Sequence, residues 1–375
     1  MRWPALVVST AALSAAMTVA SCGGGGGGSM TTGAMTTGTM ASGFVATHLV
    51  SNVNTSTNPY NGSNADPHLV NAWGIAFNPQ GFVWVADNGT STSTLYDGAG
   101  VPQSLVVSIP SGAAGSGRPT GIVFNGSASF QVTQGGVSGA SIFIFAGEGG
   151  TLSAWSPTVD MNNAILVVDR AAGGKVYTGL ALSSAGGAPR LYAADFHNGV
   201  VDVFDGSFAP VVVAGAFTDP ALPAGYAPFG IQAIGNQIFV SYAKQDAQAQ
   251  HAVAGAGLGV VDVFDTSGAL VQHLIGTGGA LNAPWAMTMA PAGFGSFGGD
   301  LLVGNFGDGK INVFAPATGA FVSALVDASG NPLVFDGLWG LAFGNGINDE
   351  PTTTLFYAAG PAQGTLGVYG RIDFH

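Results

Sequence analysis

The sequence predicts an all-β protein: a six-bladed β-propeller of four-stranded antiparallel blades, its ring closed by the N-terminal strand. Three observations predict it. A motif returns six times at a spacing near fifty residues, each return is followed by short apolar strands, and glycine is abundant enough for many tight turns. The motif is an aromatic or threonine followed by a small residue and an apolar strand. It reads Trp73-Gly74-Ile75-Ala76-Phe77, Thr120-Gly121-Ile122-Val123-Phe124, Thr178-Gly179-Leu180-Ala181-Leu182, Phe229-Gly230-Ile231, Trp285-Ala286-Met287 and Trp339-Gly340-Leu341-Ala342-Phe343. The small residue falls at 74, 121, 179, 230, 286 and 340, a period that marks propeller blades when the repeats are made of short strands. Glycine supplies 61 of 375 residues, roughly double its ordinary ~7%, as expected where hairpin turns need φ > 0.

Within each repeat the first strand leads through a turn to an unbroken apolar run, such as Phe82-Val83-Trp84-Val85-Ala86, Leu191-Tyr192-Ala193-Ala194 or Ile238-Phe239-Val240. Such runs suit strands buried on both faces. A third strand then alternates, as in Val201-Asp202-Val203-Phe204-Asp205, Val261-Asp262-Val263-Phe264-Asp265 and Ile311-Asn312-Val313-Phe314, which suits a strand with one face nearer water. A fourth strand, for example Ser104–Ile109 or Ala269–Leu274, completes most blades. The last repeat reaches Arg371-Ile372-Asp373 without a fourth strand, while Phe44–Val50 precedes the first motif with no blade of its own. Placing Phe44–Val50 as the missing outer strand closes the ring and removes open sheet edges.

Residues 44–375 therefore form the propeller, and the segment before them reads differently. Residues 1–22 look like a lipoprotein signal peptide: Met1-Arg2, an apolar stretch from Trp3 to Ala20, then Val19-Ala20-Ser21-Cys22, a lipobox whose cysteine takes the lipid. Cys22 is the single cysteine of the chain, so a disulfide within the chain is ruled out. Residues 23–43, rich in Gly, Thr and Met, form a tether with a root-mean-square span of roughly 25 Å. The expected location is the bacterial envelope, exported and lipid-anchored. The outer membrane, facing periplasm or exterior, is favoured because Gly23, not aspartate, follows the cysteine.

Formal net charge is −12, with three lysines and five arginines. No basic stripe fits that inventory, so nucleic acid is excluded as a partner, and the lipid alone would hold the protein at a membrane. The expected state is a monomer that binds a small ligand or an envelope protein. The scarce charge gathers in the turns between second and third strands: Asp87-Asn88-Gly89, Glu148-Gly149-Gly150, Asp195-Phe196-His197-Asn198-Gly199, Lys244-Gln245-Asp246 and Asn305-Phe306-Gly307-Asp308-Gly309-Lys310. These turns open on the same face as the first-strand entrances, around one mouth of the central channel. Asx-Gly turns are also what hairpins require for their own sake. Trp73, Phe229, Trp285 and Trp339 ring the same mouth, either to stack on a ligand or to wedge neighbouring blades. The candidate ligand surface is thus Trp73, Asp87, Asn88, Asn198, Phe229, Lys244, Asp246, Trp285, Asn305 and Trp339.

No Gly-x-Ser-x-Gly elbow, His-Glu-x-x-His pair or phosphate loop is present. With Glu148 and Glu350 as its two glutamates, the chain cannot build a glutamate-rich site. Glu148, Asn88, Asn198 and Asp308 offer oxygen ligands for Ca²⁺, and His197 or Asp195 a general base.

Trp73–Phe77 with Phe82–Thr90, Pro119–Asn125, Phe217-Thr218-Asp219-Pro220, Tyr242–Asp246, Asn305–Gly309 and Gly337–Gly346 resemble a bacterial family of exported propellers, some of them with PEP-CTERM sorting tails. More loosely, they resemble NHL-type six-bladed propellers. The resemblance spans residues 44–372 and implies the fold and an exported location; it carries no agreed activity, and the lipobox stands in place of a sorting tail. The expected function is a ligand- or protein-binding module of the cell envelope. The alternative is a Ca²⁺-assisted hydrolase or lactonase with its site at the channel mouth.

Overall fold

In the computed structural model residues 42–115 and 117–375 are described. The expected signal peptide, Cys22 and the expected tether as far as residue 41 lie outside the described residues. Among the described residues no helix is long and apolar enough to cross a membrane.

Six sheets make the propeller, and in each the strand that follows the repeated motif is innermost. The first blade runs Ala72–Phe77, Val83–Asp87, Thr92–Tyr96 and Pro102–Ser108 from axis to rim. The fourth runs Tyr226–Ile234, Gln237–Lys244, Val260–Asp265 and Leu270–Ile275. All neighbouring strands within these blades are antiparallel. The inner strands touch in cyclic order, with Leu338–Phe343 of the sixth blade against Ala72–Phe77 of the first.

Closure follows the expected route. Phe44–Ser51 pairs antiparallel with Val368–Phe374, from Phe44 opposite Phe374 to Ser51 opposite Val368, and so supplies the sixth blade's outer strand. Asn64–Ala65 adds a short parallel piece outside it. Two details depart from a uniform four-strand pattern. The second blade carries an extra hairpin, Gln131–Gln134 with Val137–Ala140. The third blade's outer strand shrinks to Pro210–Val211, with prolines and glycines limiting its length.

Packing between blades explains the repeated glycine. A methyl group on Gly230 would stand 1.9 Å from the Trp285 carbonyl oxygen, and one on Gly340 would stand 2.4 Å from that of Trp73. The inner strands approach so closely there that a side chain has no room. Gly230→Ala is therefore expected to cost about 1–3 kcal/mol through overpacking, read as a lower denaturation midpoint with an unchanged m-value. A substitution without effect would mean that the inner strands can separate freely. Farther out, aromatic rings fill the wedge between blades: Trp84 stacks on Phe143 at 4.3 Å and meets Trp155 at 4.7 Å.

A candidate metal centre in the fourth blade

The channel mouth is packed shut by its aromatic residues. Trp73, Phe229, Trp285 and Trp339 are each 9% exposed or less. Trp339 stacks on Trp73 at 3.6 Å and on Phe306 at 4.2 Å, while Trp285 meets both Trp73 and Trp339 edge-on. Their faces are occupied by one another. Where the motif has threonine, a hydroxyl does the joining: Thr120 donates to the Tyr177 carbonyl and Thr178 to that of Phe229, both at 2.8 Å. Below the mouth the channel narrows to a void of about 30 Å³.

The turn residues largely satisfy each other. Asn198 donates to Asp195 at 2.8 Å, and Asp195, fully buried, takes Lys175 at 2.9 Å. Asn305 donates to Asp308 at 3.0 Å, and Lys310 lies 3.3 Å from the same carboxylate. Asp87 is buried and accepts from Thr92 and Thr94; burial and then the charge of Asp66 push its carboxyl well above the usual range. Asp246 accepts from the Gln250 amide and faces His251, and Lys244 is exposed beside it. The His197 ring contacts the Ala249 carbonyl and the Gln250 side chain. Of the four expected Ca²⁺ ligands, Asn88 and Glu148 do meet, at 3.2 Å across two blades, with Arg118 2.7 Å from the same glutamate oxygen. Asn198 and Asp308 are held within their own turns.

A different group converges. Asp219, Asp262 and His273 bring ligand atoms within 4.8 Å of one another, a set able to coordinate a metal ion. His273 Nδ1 is 2.7 Å from Asp219 Oδ2 and 2.8 Å from Asp262 Oδ1. Asp262 lies on the third strand, directly opposite His273 on the fourth. Register shifts flank this pair on both sides, and such bulges re-aim side chains. Asp219 comes from the segment that joins the third blade to the fourth, where its other oxygen accepts the Ala221 amide at 2.8 Å. Residues alternate across a strand, so Asp262 shares a face with Val260 and Phe264, and these pack against Tyr192 and Phe217.

The electrostatics of this group are unusual. A ring nitrogen has one proton to give, and His273 Nδ1 serves Asp219. Asp262, with its side chain 0% exposed, therefore shares that imidazole, 2.8 Å away, with a second carboxylate. Burial foremost, and then the Asp219 charge, push its carboxyl up to about 7, with His273 and the Tyr242 hydroxyl opposing. The buried Tyr242 hydroxyl beside it is a hydrogen-bonding neighbour of the same carboxylate. Two buried carboxylates that share one imidazole are costly unless a further cation compensates them.

The third blade shows what compensation looks like. Its third strand repeats the same string, Val200-Val201-Asp202-Val203-Phe204-Asp205 against Val260-Val261-Asp262-Val263-Phe264-Asp265. There Asp202 has the Lys175 ammonium at 3.0 Å and the Tyr177 hydroxyl at 2.6 Å. No lysine is aligned to do this for Asp262. Sequence reading missed the group because its members look ordinary one by one. The available signal was an aspartate on the apolar face of a strand, written twice.

No protein-family model matches the chain. Two uncharacterised proteins of Acanthamoeba polyphaga mimivirus do. One is 35% identical over 333 residues, covering 87% of this chain and 84% of its own length. The other is 36% identical over 301 residues, covering 79% and 72%. The chain belongs to their family. That family has the propeller fold seen here, and solved structures agree on the fold alone. A Bacteroides thetaiotaomicron protein of unknown function superposes with a TM-score of 0.54 at 13% identity, covering 89% of this chain and 76% of its own. A streptogramin B lyase superposes with a TM-score of 0.50 at 13% identity, covering 90% and 99%.

Proposed function

We propose that this propeller is a metal-dependent hydrolase whose activating ion is held by Asp219, Asp262 and His273. The observation that carries the reading is a pair of buried carboxylates, Asp219 and Asp262, converging on one imidazole with their ligand atoms within 4.8 Å of one another. Three protein ligands leave coordination positions for water and substrate, the pattern of catalytic rather than structural sites. A bound ion supplies an acidified water, the nucleophile for ester or lactone opening. Ca²⁺ takes oxygen ligands, so the His273 nitrogen moves the choice toward a transition-metal ion. His273, with 32% of its side chain exposed, marks the side open to solvent. The site is therefore displaced from the channel mouth to the outer half of one blade.

The proposed setting is the bacterial envelope, with Cys22 as the lipid attachment point and the tether giving the propeller freedom to turn. Support for this comes from the lipobox residues.

Metal analysis after loading with Zn²⁺ or Mn²⁺ and desalting tests the reading, followed by assay against a panel of aryl esters and lactones. One ion per chain is expected, with hydrolysis that chelator abolishes and metal restores. His273→Ala should weaken binding by at least ~100-fold, since losing even an outer partner of a ligand costs ~10–100-fold. A wild-type protein that retains no ion would sink the proposal; an ion retained without hydrolysis would reduce it to metal binding.

A further inference from the structure

We infer that the outer rim of the third blade is a docking groove for an extended peptide carrying an acidic residue, taken up as the outer strand this blade mostly lacks. The blade's third strand, Val200–Asp205, is covered on its outer side by Val211 and Pro210 alone, opposite Val203 and Phe204. In the fourth blade the same string is paired from Val261, opposite Ile275, to Phe264, opposite Leu270. Asp205 fixes which backbone groups face out, because its N–H donates to the Ala209 carbonyl across the rim hairpin. Residues two apart on a strand point the same way, so Val203 and Val201 also turn their backbone groups to the rim. Val203 meets Val211, whereas Val201, the counterpart of Val261, has no strand opposite it among the described residues. An N–H and a C=O left open on a strand edge form a template for an incoming strand.

The surroundings define the guest. A groove of about 300 Å³ runs along this edge, lined also by Arg170, from the segment leaving the second blade, and by Ala216, from the segment leading to the fourth. Its apolar wall is exposed: Val200 to 42%, and Val212 and Val213, on the chain that swings away after Val211, to 92% and 50%. Sheet edges are ordinarily guarded by charge or proline along the open stretch. Here Pro210 stands before that stretch, and the stretch itself carries valines. Of the two charged residues in the groove, Asp202 already has the Lys175 ammonium at 3.0 Å and the Tyr177 hydroxyl at 2.6 Å. Arg170 is half-buried with its guanidinium over the Phe204 ring, 6.0 Å from the centroid, and has no carboxylate within ion-pair distance among the described residues. A guanidinium so placed selects a carboxylate from the guest. The same edge of a second copy would bring another Arg170 and another Asp202 that is already paired, so charge favours a different, acidic peptide.

The test is to select a random heptapeptide library, displayed on phage, against the purified full chain. Enriched sequences should alternate apolar residues and contain an Asp or Glu. The best of them, made synthetically, should bind as a strand: backbone N-methylation at alternate positions abolishes binding, and at the intervening positions leaves it intact. Arg170→Gln should weaken that peptide about 10-fold, and replacing its acid by the amide should cost no more once Arg170 is gone. Val201→Pro removes the outward N–H without breaking a bond inside the sheet, so binding should vanish while the denaturation midpoint stays near wild type. The N-methyl scan needs no variant and decides the matter should Val201→Pro fail to fold. No enrichment, a peptide that tolerates N-methylation at every position, or one indifferent to Arg170→Gln would overturn the inference. A wild-type dimer that Val201→Pro dissociates would also overturn it, by giving the edge to a second copy. None of these readouts depends on the metal site.

Discussion

Asp262→Asn is expected to abolish metal binding and, in metal-free protein, to raise stability at pH 8 by a few kcal/mol. The two effects have one origin. In an unfolded chain an aspartate titrates near ~3.9, whereas burial and Asp219 push the folded Asp262 carboxyl up to about 7. Between those values the folded protein keeps a proton that the unfolded chain has released. Stability therefore falls as pH rises from about 4 to about 7, and the full penalty applies above that range. Asparagine carries no charge at any pH and removes the penalty, but it also removes a ligand. Denaturant midpoints across pH 4–9, with chelator present, check the prediction. The wild-type slope should shrink in the variant without vanishing, because Glu350 is likewise buried and pushed up to about 7. Its carboxyl accepts the Val83 amide at 2.9 Å, which opposes the effect of burial. A variant that binds metal normally, or that is less stable than wild type at pH 8, would show that Asp262 serves the fold and not an ion. A group that lowers stability where it stands is better explained by a ligand than by packing.

The fold was legible because its causes are local and repeated. Each return of the motif places a small residue where inner strands nearly touch, and the missing sixth outer strand left Phe44–Ser51 a single place to go. The metal centre was not legible to the same degree. Its three residues come from a connecting segment, a third strand and a fourth strand, and the bulges that turn His273 toward Asp262 have no sequence signature. The polar turns were read correctly as turns. That Asn198, Asn305 and Asp308 are bound up inside those turns depends on side-chain geometry that spacing does not encode. What linear reading could have weighed more heavily is chemistry out of place. Asp202 and Asp262 interrupt apolar strand faces, and each therefore needed a cation. Lys175 answers the first and, on the reading above, a metal answers the second.

Trp339→Ala should destabilise the protein by about 3–5 kcal/mol, the range for removing a large buried aromatic. Trp339 is sandwiched between Trp73 at 3.6 Å and Phe306 at 4.2 Å, and its indole nitrogen donates to Asn71 Oδ1 at 3.2 Å. Aromatic pairs contribute beyond the area they bury, so losing two stacks at once adds to the cavity left behind. The ring cannot collapse to fill that cavity, because its walls are inner strands fixed by six sheets. Trp339→Phe, which keeps one ring in the stack, should recover part of the loss. The outcome separates the two roles open to these residues. If the indoles formed a ligand platform, truncation would weaken binding and leave the denaturation midpoint nearly unchanged. If they are the wedge that seals one end of the channel, the midpoint falls and any hydrolysis measured per folded molecule persists. Trp285 argues for the second role: its indole nitrogen donates 2.8 Å to the Thr178 carbonyl two blades away, a tie across the ring axis that a free platform would not make.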